Sequence, residues 1–441
     1  MKTLKVLLTL LLILIGVFTE QSIANSSRNN AKKWIGAVPV TEQIDISVAG
    51  KPGMEIILEH SFGNIEIIKG RDDAIHISGE KTVTAKDDAV IKEFLSLMNL
   101  EVSDRPNRVK IVTEYPDNDL KKKVKSFTIS YTIEIPSDVI LSVENSFGSI
   151  DITGVSGEFD ITNGYGKVTA AMLDGRTSLT NKFGAIKARQ ITGEAVITTA
   201  HSSLDIEQIT GNLTAQTKFG KLTVNTVKGN GYITGGHGGV ECTSISGDTE
   251  ITNSHGSVIC SAIGGNVRIN NSHGRIDVKN MDSDVWAQTS FARVYAENVK
   301  GKLTVENQHG AVEAVFIDGG ADIHTTFGSV QVDQIDGDVL VTNQHGSITA
   351  QNILLDTAGS KRNVRLKTSH ASIKLRVPET FSANISASTT FGKFKCDFPL
   401  SMNLGDSELS GSNQRLKGTV GDGNDTVELE ATHSNIYVEK M

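Results

Sequence analysis

Apolar residues through the middle of the chain recur in a pattern of eighteen positions. Within one repeat, the alternating apolar residues Ile186 and Ala188 are followed by Ile191 and then by a second alternating pair, Ala195 and Ile197. Alternation of apolar and polar side chains is the period of a half-buried β-strand. The pattern therefore predicts two short strands in every repeat.

A ring side chain begins each repeat and is counted here as position one. Glycine usually follows the ring, and asparagine, threonine or glycine precedes it by two residues, at position seventeen. A fixed period of this kind is typical of stacked-repeat proteins. The ring ladder comprises Phe147, Tyr165, Phe183, His201, Phe219, His237, His255, His273, Phe291, His309, Phe327 and His345. The asparagine ladder comprises Asn163, Asn181, Asn253, Asn271, Asn307 and Asn343.

A helical repeat is the alternative, since eighteen residues also make five α-helical turns. Two glycines per repeat would each cost a helix about 1 kcal/mol, whereas glycine suits tight turns. No proline lies between Pro136 and Pro378, as expected where every backbone N–H joins a β-ladder. The predicted fold is all-β: a single-stranded parallel β-solenoid, or β-helix, with 18-residue coils.

The flanks of the repeats differ from the repeats themselves. A short helix is predicted at Asp87–Asn99, where apolar residues have helical spacing, and strand-like runs follow at 108–113 and 127–135. The predicted segments are a signal peptide (1–24), an N-terminal segment (25–54), a first coil with an α+β capping insertion that contains the helix (55–146), the regular repeats (147–350), and irregular longer coils with a C-terminal cap (351–441).

The first residues have the features of an export signal. Lys2 and Lys5 precede an apolar run at 6–18, and Ser22 and Ala24 are small residues suited to cleavage. The run is shorter than the roughly twenty residues of a membrane span, so no span is expected in the mature chain. We expect an exported protein of the periplasm, the cell surface or the extracellular space.

Charge and repeat position limit the candidate chemistry. The mature chain has a net charge of −9, without the concentrated basic surface of a nucleic-acid-binding protein. Three successive rings, His237, His255 and His273, could hold a metal, but phenylalanine takes the same position in other repeats. Stacked imidazoles about 4.8 Å apart also place their nitrogens too far apart to share a zinc ion bound at about 2.0 Å. A structural role is favoured, without metal or cofactor, and the asparagines are expected to exchange amide hydrogen bonds along the stack.

Cysteines occupy one position of the repeat. Cys242 and Cys260 lie at position six of adjacent repeats, and Cys396 takes the same place further on. Other repeats have aliphatic residues there, so buried thiols are favoured, with a Cys242–Cys260 disulfide left open.

No catalytic constellation is predicted. The densest acidic patch is Asp318, Asp333, Asp336 and Asp338, which could bind calcium, although a solvated acidic turn is favoured. Tyr232 and Trp286 fall at outward position fourteen, where they could stack on a glycan or a partner.

Two stretches resemble a known family. They are YTIEIPSDVILSVENSFGSIDITGVSG at 131–157 and SIKLRVPETFSANISASTTFGKFKCDFP at 372–399, supported by the repeated G-x-[IV] and I-x-G turns. Over roughly residues 50–441 the chain resembles the bacterial "putative adhesin" family of exported β-strand-repeat proteins. The resemblance implies a right-handed coil and provides no catalytic motif.

The leading functional hypothesis is a non-enzymatic cell-envelope scaffold that binds an envelope or surface partner, a glycan among the candidates, along its faces. The alternatives are a degenerate polysaccharide-active β-helix enzyme and a self-assembling filament subunit. The sequence leaves the oligomeric state open.

Overall fold

The structure is a computed structural model that describes residue 34 and residues 36–353, 361–402, 407–408 and 411–441. The predicted signal peptide and the first part of the N-terminal segment lie outside the described residues. The chain divides into two compact units, the first ending at Ile150 and the second beginning at Asp151. Among the described helices, none is long and apolar enough to span a membrane.

The first unit combines parallel and antiparallel strands with two helices. Its elements are β1 (Val38–Val48), β2 (Glu55–Phe62), β3 (Ile65–Lys69), β4 (Ile75–Ala85), α1 (Asp88–Leu97), β5 (Asn99–Arg105), β6 (Arg108–Glu114), α2 (Asn118–Lys121), β7 (Ser126–Ile135) and β8 (Val139–Phe147).

Antiparallel strands flank the parallel pairs of the first unit. Strand β2 pairs in parallel with β6 and β8, and β3 pairs in parallel with β7. Strands β5 and β4 then pair antiparallel with β6 and β7, and β1 pairs antiparallel with β4. The free edges of β6 and β7 are therefore covered by antiparallel strands of the same unit.

The helix predicted at 87–99 is present as α1. The side chain of Asp87 accepts a hydrogen bond from the N–H of Ala89, which caps the first turn. The apolar face buries Ile91, Phe94 and Leu95 against the sheet. The sequence patterns did not predict the single-turn helix α2.

The remaining strands run from the boundary to the end of the chain. They are β9 (Ile150–Thr153), β10 (Gly157–Tyr165), β11 (Val168–Asp174), β12 (Thr177–Asn181), β13 (Ile186–Thr192), β14 (Ala195–Thr199), β15 (Leu204–Ile209), β16 (Leu213–Thr217), β17 (Leu222–Val227), β18 (Gly231–Thr234), β19 (Val240–Ile245), β20 (Thr249–Asn253), β21 (Val258–Ile263), β22 (Val267–Asn271), β23 (Ile276–Met281), β24 (Val285–Thr289), β25 (Val294–Val299), β26 (Leu303–Asn307), β27 (Val312–Ile317), β28 (Ala321–His324), β29 (Val330–Ile335), β30 (Val339–Thr342), β31 (Ile348–Gln351), β32 (Asn363–Thr368), β33 (Ile373–Val377), β34 (Ala383–Thr390), β35 (Phe394–Cys396), β36 (Ser401–Met402), β37 (Asn413–Val420), β38 (Asp425–Ala431) and β39 (Ile436–Lys440).

Each repeat of the second unit contributes one strand to each of two long, mostly parallel sheets. In the first sheet β13 pairs with β15, and Ile186 is the partner of Leu204. In the second sheet β14 pairs with β16, and Ala195 is the partner of Leu213. In each pair the two residues are eighteen apart in sequence, as the period of the repeat requires. The all-β prediction is confirmed.

The core lies on the buried faces of these strands. Positions four, six and nine of the first strand are buried, and so are positions thirteen, fifteen and seventeen of the second. Strict alternation would place position nine outside, but the residue at position eight has a left-handed backbone, as in Gln190 with φ 55°. This break in the alternation lets Ile191 point inward. The same conformation recurs at Met172, Gln190, Gln208, Thr226, Ser244, Ala262, Asn280, Asn298, Phe316, Gln334 and Asn352.

The last strands of the chain lie inside the stack and not at its end. Strand β38 pairs in parallel with both β32 and β34, and β39 pairs in parallel with both β33 and β35. The repeat that begins at His433 therefore lies between those that begin at His370 and Phe391. Strand β37 pairs antiparallel with β34 and ends the parallel register on that side.

Candidate functional site

The rings at position one stack face to face along the second unit. Centroid separations run from 4.5 Å between Tyr165 and Phe183 to 5.1 Å between His273 and Phe291, and neighbouring planes differ by at most 16°. The stack continues from His345 through His370 to His433. In the first unit Phe62 and Phe147 stack in the same way, 5.2 Å apart. Because neighbours cover the ring faces, the ladder presents mainly ring edges to solvent.

The stacked histidines keep their nitrogens in separate layers. The rings of His237 and His255 are 4.6 Å apart, and those of His255 and His273 are 4.9 Å apart with nearly parallel planes. The Nδ1 atom of His273 lies 3.3 Å from the carbonyl oxygen of Ser254, where the Nδ1–H tautomer donates a hydrogen bond to the preceding repeat. Within the described ranges, no group of three or more His, Cys, Asp or Glu side chains is placed to hold a metal ion.

The asparagines at position seventeen bind backbone carbonyl groups. The Nδ2 atom of Asn271 donates to the carbonyl oxygen of Gly274 in its own turn and to that of Gly256 in the preceding repeat, at 2.9 Å each. Asn307 donates in the same way to Gly310 and Ala292, at 2.8 and 3.0 Å. Amide hydrogen bonds therefore pass along the stack as expected, but for these residues the acceptors are backbone carbonyl groups of the turns and not neighbouring side-chain amides.

Threonine performs part of this role where it replaces asparagine. The hydroxyl of Thr217 donates to the carbonyl oxygen of Ser202 at 3.0 Å, and that of Thr199 donates to Gly184 at 3.2 Å. A hydroxyl has one donor and an amide has two, so threonine reaches the preceding repeat only. This explains why the two residue types interchange at one position.

A third ladder was missed by the sequence reasoning and lies at position twelve. The Oδ1 atom of Asn212 accepts from the backbone N–H of Asn230, and the Oδ1 atom of Asn230 accepts from that of Asp248. Asp248 and Asp284 likewise accept from the following repeat, at 2.8 and 2.7 Å. The recurrence of asparagine and aspartate at this position was the available signal.

The acidic patch does not form a set of calcium ligands. Two side-chain amides donate to Asp333 at 2.7 Å each, and Arg362 forms an ion pair with Asp336 at 2.6 Å. A backbone N–H donates to Asp338 at 2.9 Å. Three of the four carboxylates thus serve contacts within the fold, and Asp318 lies one repeat from Asp336, next to the paired residues Ile317 and Ile335.

The paired cysteines are buried thiols. Cys242 and Cys260 are Cα partners on β19 and β21, and both are free. A hydrogen bond to Cys260, together with burial, raises the pKa of the Cys242 thiol well above its usual value. Both side chains take the place of aliphatic residues in other repeats.

Four outward side chains line up across adjacent strands of the second sheet. Tyr232 on β18 is the Cα partner of Glu250 on β20, Glu250 is that of Arg268 on β22, and Arg268 is that of Trp286 on β24. The two aromatic residues noted in the sequence thus lie at the ends of one row, here called the Tyr232–Trp286 row. An open groove of about 540 Å³ follows it and is also lined by Asp248, Thr249, Asn266, Val267, Asp284, Val285, Lys302 and Thr304.

The two charged residues in the middle of this row are not paired. In the described part of the chain, neither Glu250 nor Arg268 has an ion-pair partner within 4.0 Å, although they are adjacent. Elsewhere such neighbours do pair, as Lys279 does with Glu297 at 2.7 Å. The guanidinium carbon of Arg268 lies instead 4.0 Å from the ring centroid of Trp286. Glu250 and Arg268 were not singled out from the sequence, although they share position fourteen with the aromatic pair.

Comparison with known proteins places the chain in no named family. No protein-family model matches it, and no curated protein matches it significantly. A "putative cell adhesion protein" from Clostridium sporogenes aligns over 92% of this chain and 100% of its own, at 8% identity and a TM-score of 0.16.

Two solved structures from Parabacteroides distasonis also align. One, a "putative adhesin", covers 69% of this chain and 97% of its own, at 14% identity and a TM-score of 0.23. The other, a "putative lipid binding protein", covers 71% and 96%, at 12% identity and a TM-score of 0.19.

Proposed function

We propose that this chain is a non-catalytic, exported β-solenoid protein that binds a glycan or another envelope partner along its outer faces. The proposal includes membership of the "putative adhesin" family and a right-handed coil of 18-residue turns, in which the two sheets are two sides of one coil. The parallel register of eighteen residues in both sheets supports the solenoid.

The observation that carries the binding role is the Tyr232–Trp286 row. It places two aromatic rings, one unpaired carboxylate and one unpaired guanidinium group along an open groove. Aromatic rings with nearby polar groups suit ligands that are apolar on one face and hydroxylated at the edges. The groove is shallow and follows the repeat axis, which favours an extended ligand over a small enclosed one.

The same groove favours binding over hydrolysis. Glycoside hydrolysis needs two carboxyl groups that flank the scissile bond. Of the three acids that line the groove, Asp248 and Asp284 already accept backbone hydrogen bonds from the next repeat. Glu250 is then the one carboxylate of the groove without such a contact, which leaves the pair incomplete.

A binding screen of the chain from Asn25 onward tests the proposal. The protein is presented to a glycan array and to cell-envelope fractions, and each ligand found is measured again with Trp286→Ala and Tyr232→Ala. Tyr295→Ala is the matched control, since Tyr295 lies on the first sheet with Arg293 at 4.9 Å and Lys279 at 5.1 Å from its ring.

The proposal predicts at least one ligand whose binding weakens about tenfold or more in the two groove variants and is retained in the control. Uniform absence of binding would remove the proposed function. Equal loss in Tyr295→Ala would place the ligand elsewhere.

A further inference from the structure

We infer that the ligand of the Tyr232–Trp286 row is a glycan that bears carboxylate groups and that Arg268 binds the carboxylate. The inference rests on the proposed binding function and names the ligand class of the same groove. Three features of the row carry it: the way Arg268 is held, the ion pair that it does not make, and the distribution of charge along the groove.

Arg268 is held in a way that leaves its hydrogen-bond donors open. Its guanidinium carbon lies 4.0 Å from the ring centroid of Trp286, a distance that stacks the flat group on the indole. Stacking engages the face of the guanidinium group, whereas its N–H donors lie in the plane. That plane presents the fork that matches a carboxylate with two parallel hydrogen bonds.

The fold does not require this arrangement. Oppositely charged Cα partners on adjacent strands pair at other outward positions, as Arg376 does with Glu439 at 3.1 Å and Lys367 does with Glu430 at 3.0 Å. Glu250 is available to Arg268 in the same geometry. Trp286 on the opposite side holds the guanidinium group instead, so the row retains a carboxylate acceptor and a guanidinium donor for a ligand.

Charge within the row is divided between its two halves, whereas carboxylates line both halves of the groove, with Asp248 two residues before Glu250 and Asp284 two residues before Trp286. Tyr232 and Glu250 form one end, where a carboxylate acceptor beside an aromatic ring suits the hydroxyl groups of a neutral sugar. Arg268 and Trp286 form the other end, where a ligand carboxylate would meet an unpaired cation. Asp248, Glu250 and Asp284 line the same groove and would repel a densely charged polyanion. A chain with spaced carboxylates fits this division better.

The length of the row also fits a glycan. Tyr232 and Trp286 are separated by three strand spacings, or roughly 14 Å along the repeat axis. Hydroxyl and amide side chains, such as Thr304 and Asn266, line the groove between or beside them. An acidic peptide would also place carboxylates near Arg268. The groove is open and does not enclose an apolar pocket for peptide side chains, which favours the glycan; the peptide is the competing ligand.

The test uses partly methyl-esterified polygalacturonate, whose free carboxylates are spaced along the chain, as the acidic probe. The fully methyl-esterified form is the neutral probe, and polyglutamate is the peptide probe. Binding is measured for the wild type, Arg268→Gln and Arg268→Lys. Arg293→Gln is the matched control, because Arg293 also lies over an aromatic ring, 4.9 Å from Tyr295, on the other sheet. Both arginine side chains are exposed, and thermal unfolding checks that each of the three variants is folded.

We expect the wild type to bind the partly esterified polygalacturonate at least about tenfold more tightly than the fully esterified form. Arg268→Gln should abolish that preference and leave binding of the fully esterified form unchanged. Arg268→Lys should restore little of it, since an ammonium group lacks the planar fork. Arg293→Gln should behave as the wild type.

Three outcomes contradict the inference and are distinguishable. Equal binding of both polysaccharides without an effect of Arg268→Gln would overturn the carboxylate role and leave the proposed function standing. Tighter binding of polyglutamate with the same dependence on Arg268 would assign the groove to a peptide. Binding of no glycan, here and in the wider screen, would remove the proposed function together with the inference.

Discussion

His60 is the Cα partner of Asn145 and occupies, in the first unit, the register position that asparagine or threonine holds in the repeats. Its Nδ1 atom lies 2.8 Å from the hydroxyl oxygen of Thr113, and its ring packs edge-on against Tyr131, with centroids 5.0 Å apart. The side chain is only 4% exposed. Burial lowers the pKa of His60 from 6.5 to about 4, so the folded protein holds a neutral imidazole.

This lowered pKa predicts an acid-sensitive contribution to stability. Above pH 6.5 the imidazole is neutral in both states and adds no pH dependence. As the pH falls from 6.5 to about 4 the unfolded chain gains a proton that the folded protein does not, so the free energy of unfolding decreases. The full difference is about 3 kcal/mol and levels off below pH 4.

The measurement compares urea unfolding of the wild type and His60→Asn between pH 4 and pH 7.5. Carboxylates titrate equally in both proteins, so the difference between the two curves isolates His60. Asparagine is chosen because Asn145, the Cα partner of His60, has this residue type at the equivalent register position. The part of the decrease in unfolding free energy between pH 6.5 and 4 that His60 causes should be absent in the variant. Parallel curves for the two proteins would show that His60 does not titrate as described.

The asparagine ladder predicts a strong dependence on one amide. Asn271→Ala removes two hydrogen bonds from a fully buried side chain and leaves carbonyl groups unsatisfied, which should cost about 2–3 kcal/mol of unfolding free energy. Asn271→Thr should cost less, because Thr217 shows that a hydroxyl still reaches the preceding repeat. Asn270→Ala, on the exposed face of the same strand, should stay within about 0.5 kcal/mol. Similar losses at both asparagines would contradict the ladder.

The close approach of successive turns predicts a strict requirement for glycine. A Cβ atom at Gly274 would lie 1.8 Å from the carbonyl oxygen of Gly256, and no side-chain movement relieves that contact. Gly274→Ala should therefore cost at least about 3 kcal/mol or prevent folding. At Gly239 the nearest atoms to an added Cβ would be 3.5 Å away, so Gly239→Ala should have little effect. Thermal unfolding of the two variants makes the comparison, and a stable Gly274→Ala protein would rule out the tight stacking of the turns.

The ring ladder predicts that ring identity matters less than ring shape. His255→Phe keeps both stacking contacts, at 4.6 and 4.9 Å in the wild type, and should be as stable as the parent. His255→Ala opens a gap in the stack and should cost about 1 kcal/mol or more. Zinc should leave the melting temperature of all three proteins unchanged. A zinc-dependent rise in the wild type that His255→Phe lacks would instead establish a metal site.

The repeat determined how much of this fold was predictable. Positions such as Ile186, Ala188 and Ala195 alternate because a strand has two faces, and this local rule predicted strands and their spacing. The left-handed backbone at Gln190 was not predictable in the same way, since the residue type at position eight varies and neighbouring repeats stabilise the conformation. The insertion of the His433 repeat between those of His370 and Phe391 depends on contacts distant in sequence, which spacing does not encode.

The candidate site was predictable only in part, for a related reason. Tyr232 and Trp286 were noted because outward aromatic residues are conspicuous in a sequence. In the sequence, Glu250 and Arg268 look like any pair of opposite charges on adjacent strands. They matter because, in the structure, the two side chains do not form an ion pair with each other. Arg268 has Glu250 on one side and Trp286 on the other, and packing decides which of the two its side chain contacts. A one-dimensional sequence pattern does not show that outcome.

The cysteines provide a last prediction, on accessibility and redox state. Cys242 and Cys260 are 1% and 0% exposed, and the pKa of the Cys242 thiol is raised, so both groups lack solvent contact and Cys242 lacks thiolate character. Cys396 is partly exposed, although burial raises its pKa as well. Iodoacetamide at pH 8 should therefore modify Cys396 slowly in the folded protein and leave the pair unmodified.

Unfolding without a reductant distinguishes buried thiols from a hidden disulfide. The chain has three cysteines, so mass spectrometry should find three alkyl groups after denaturation if the pair is reduced, and one if it is bridged. We expect three, because parallel side chains in one layer of the core must rotate toward each other to bond. Cys260→Val should then preserve stability, since aliphatic residues hold this position in other repeats and fill it with comparable volume. Loss of stability in Cys260→Val together with a single alkyl group would show that the pair forms a disulfide that stabilises the fold.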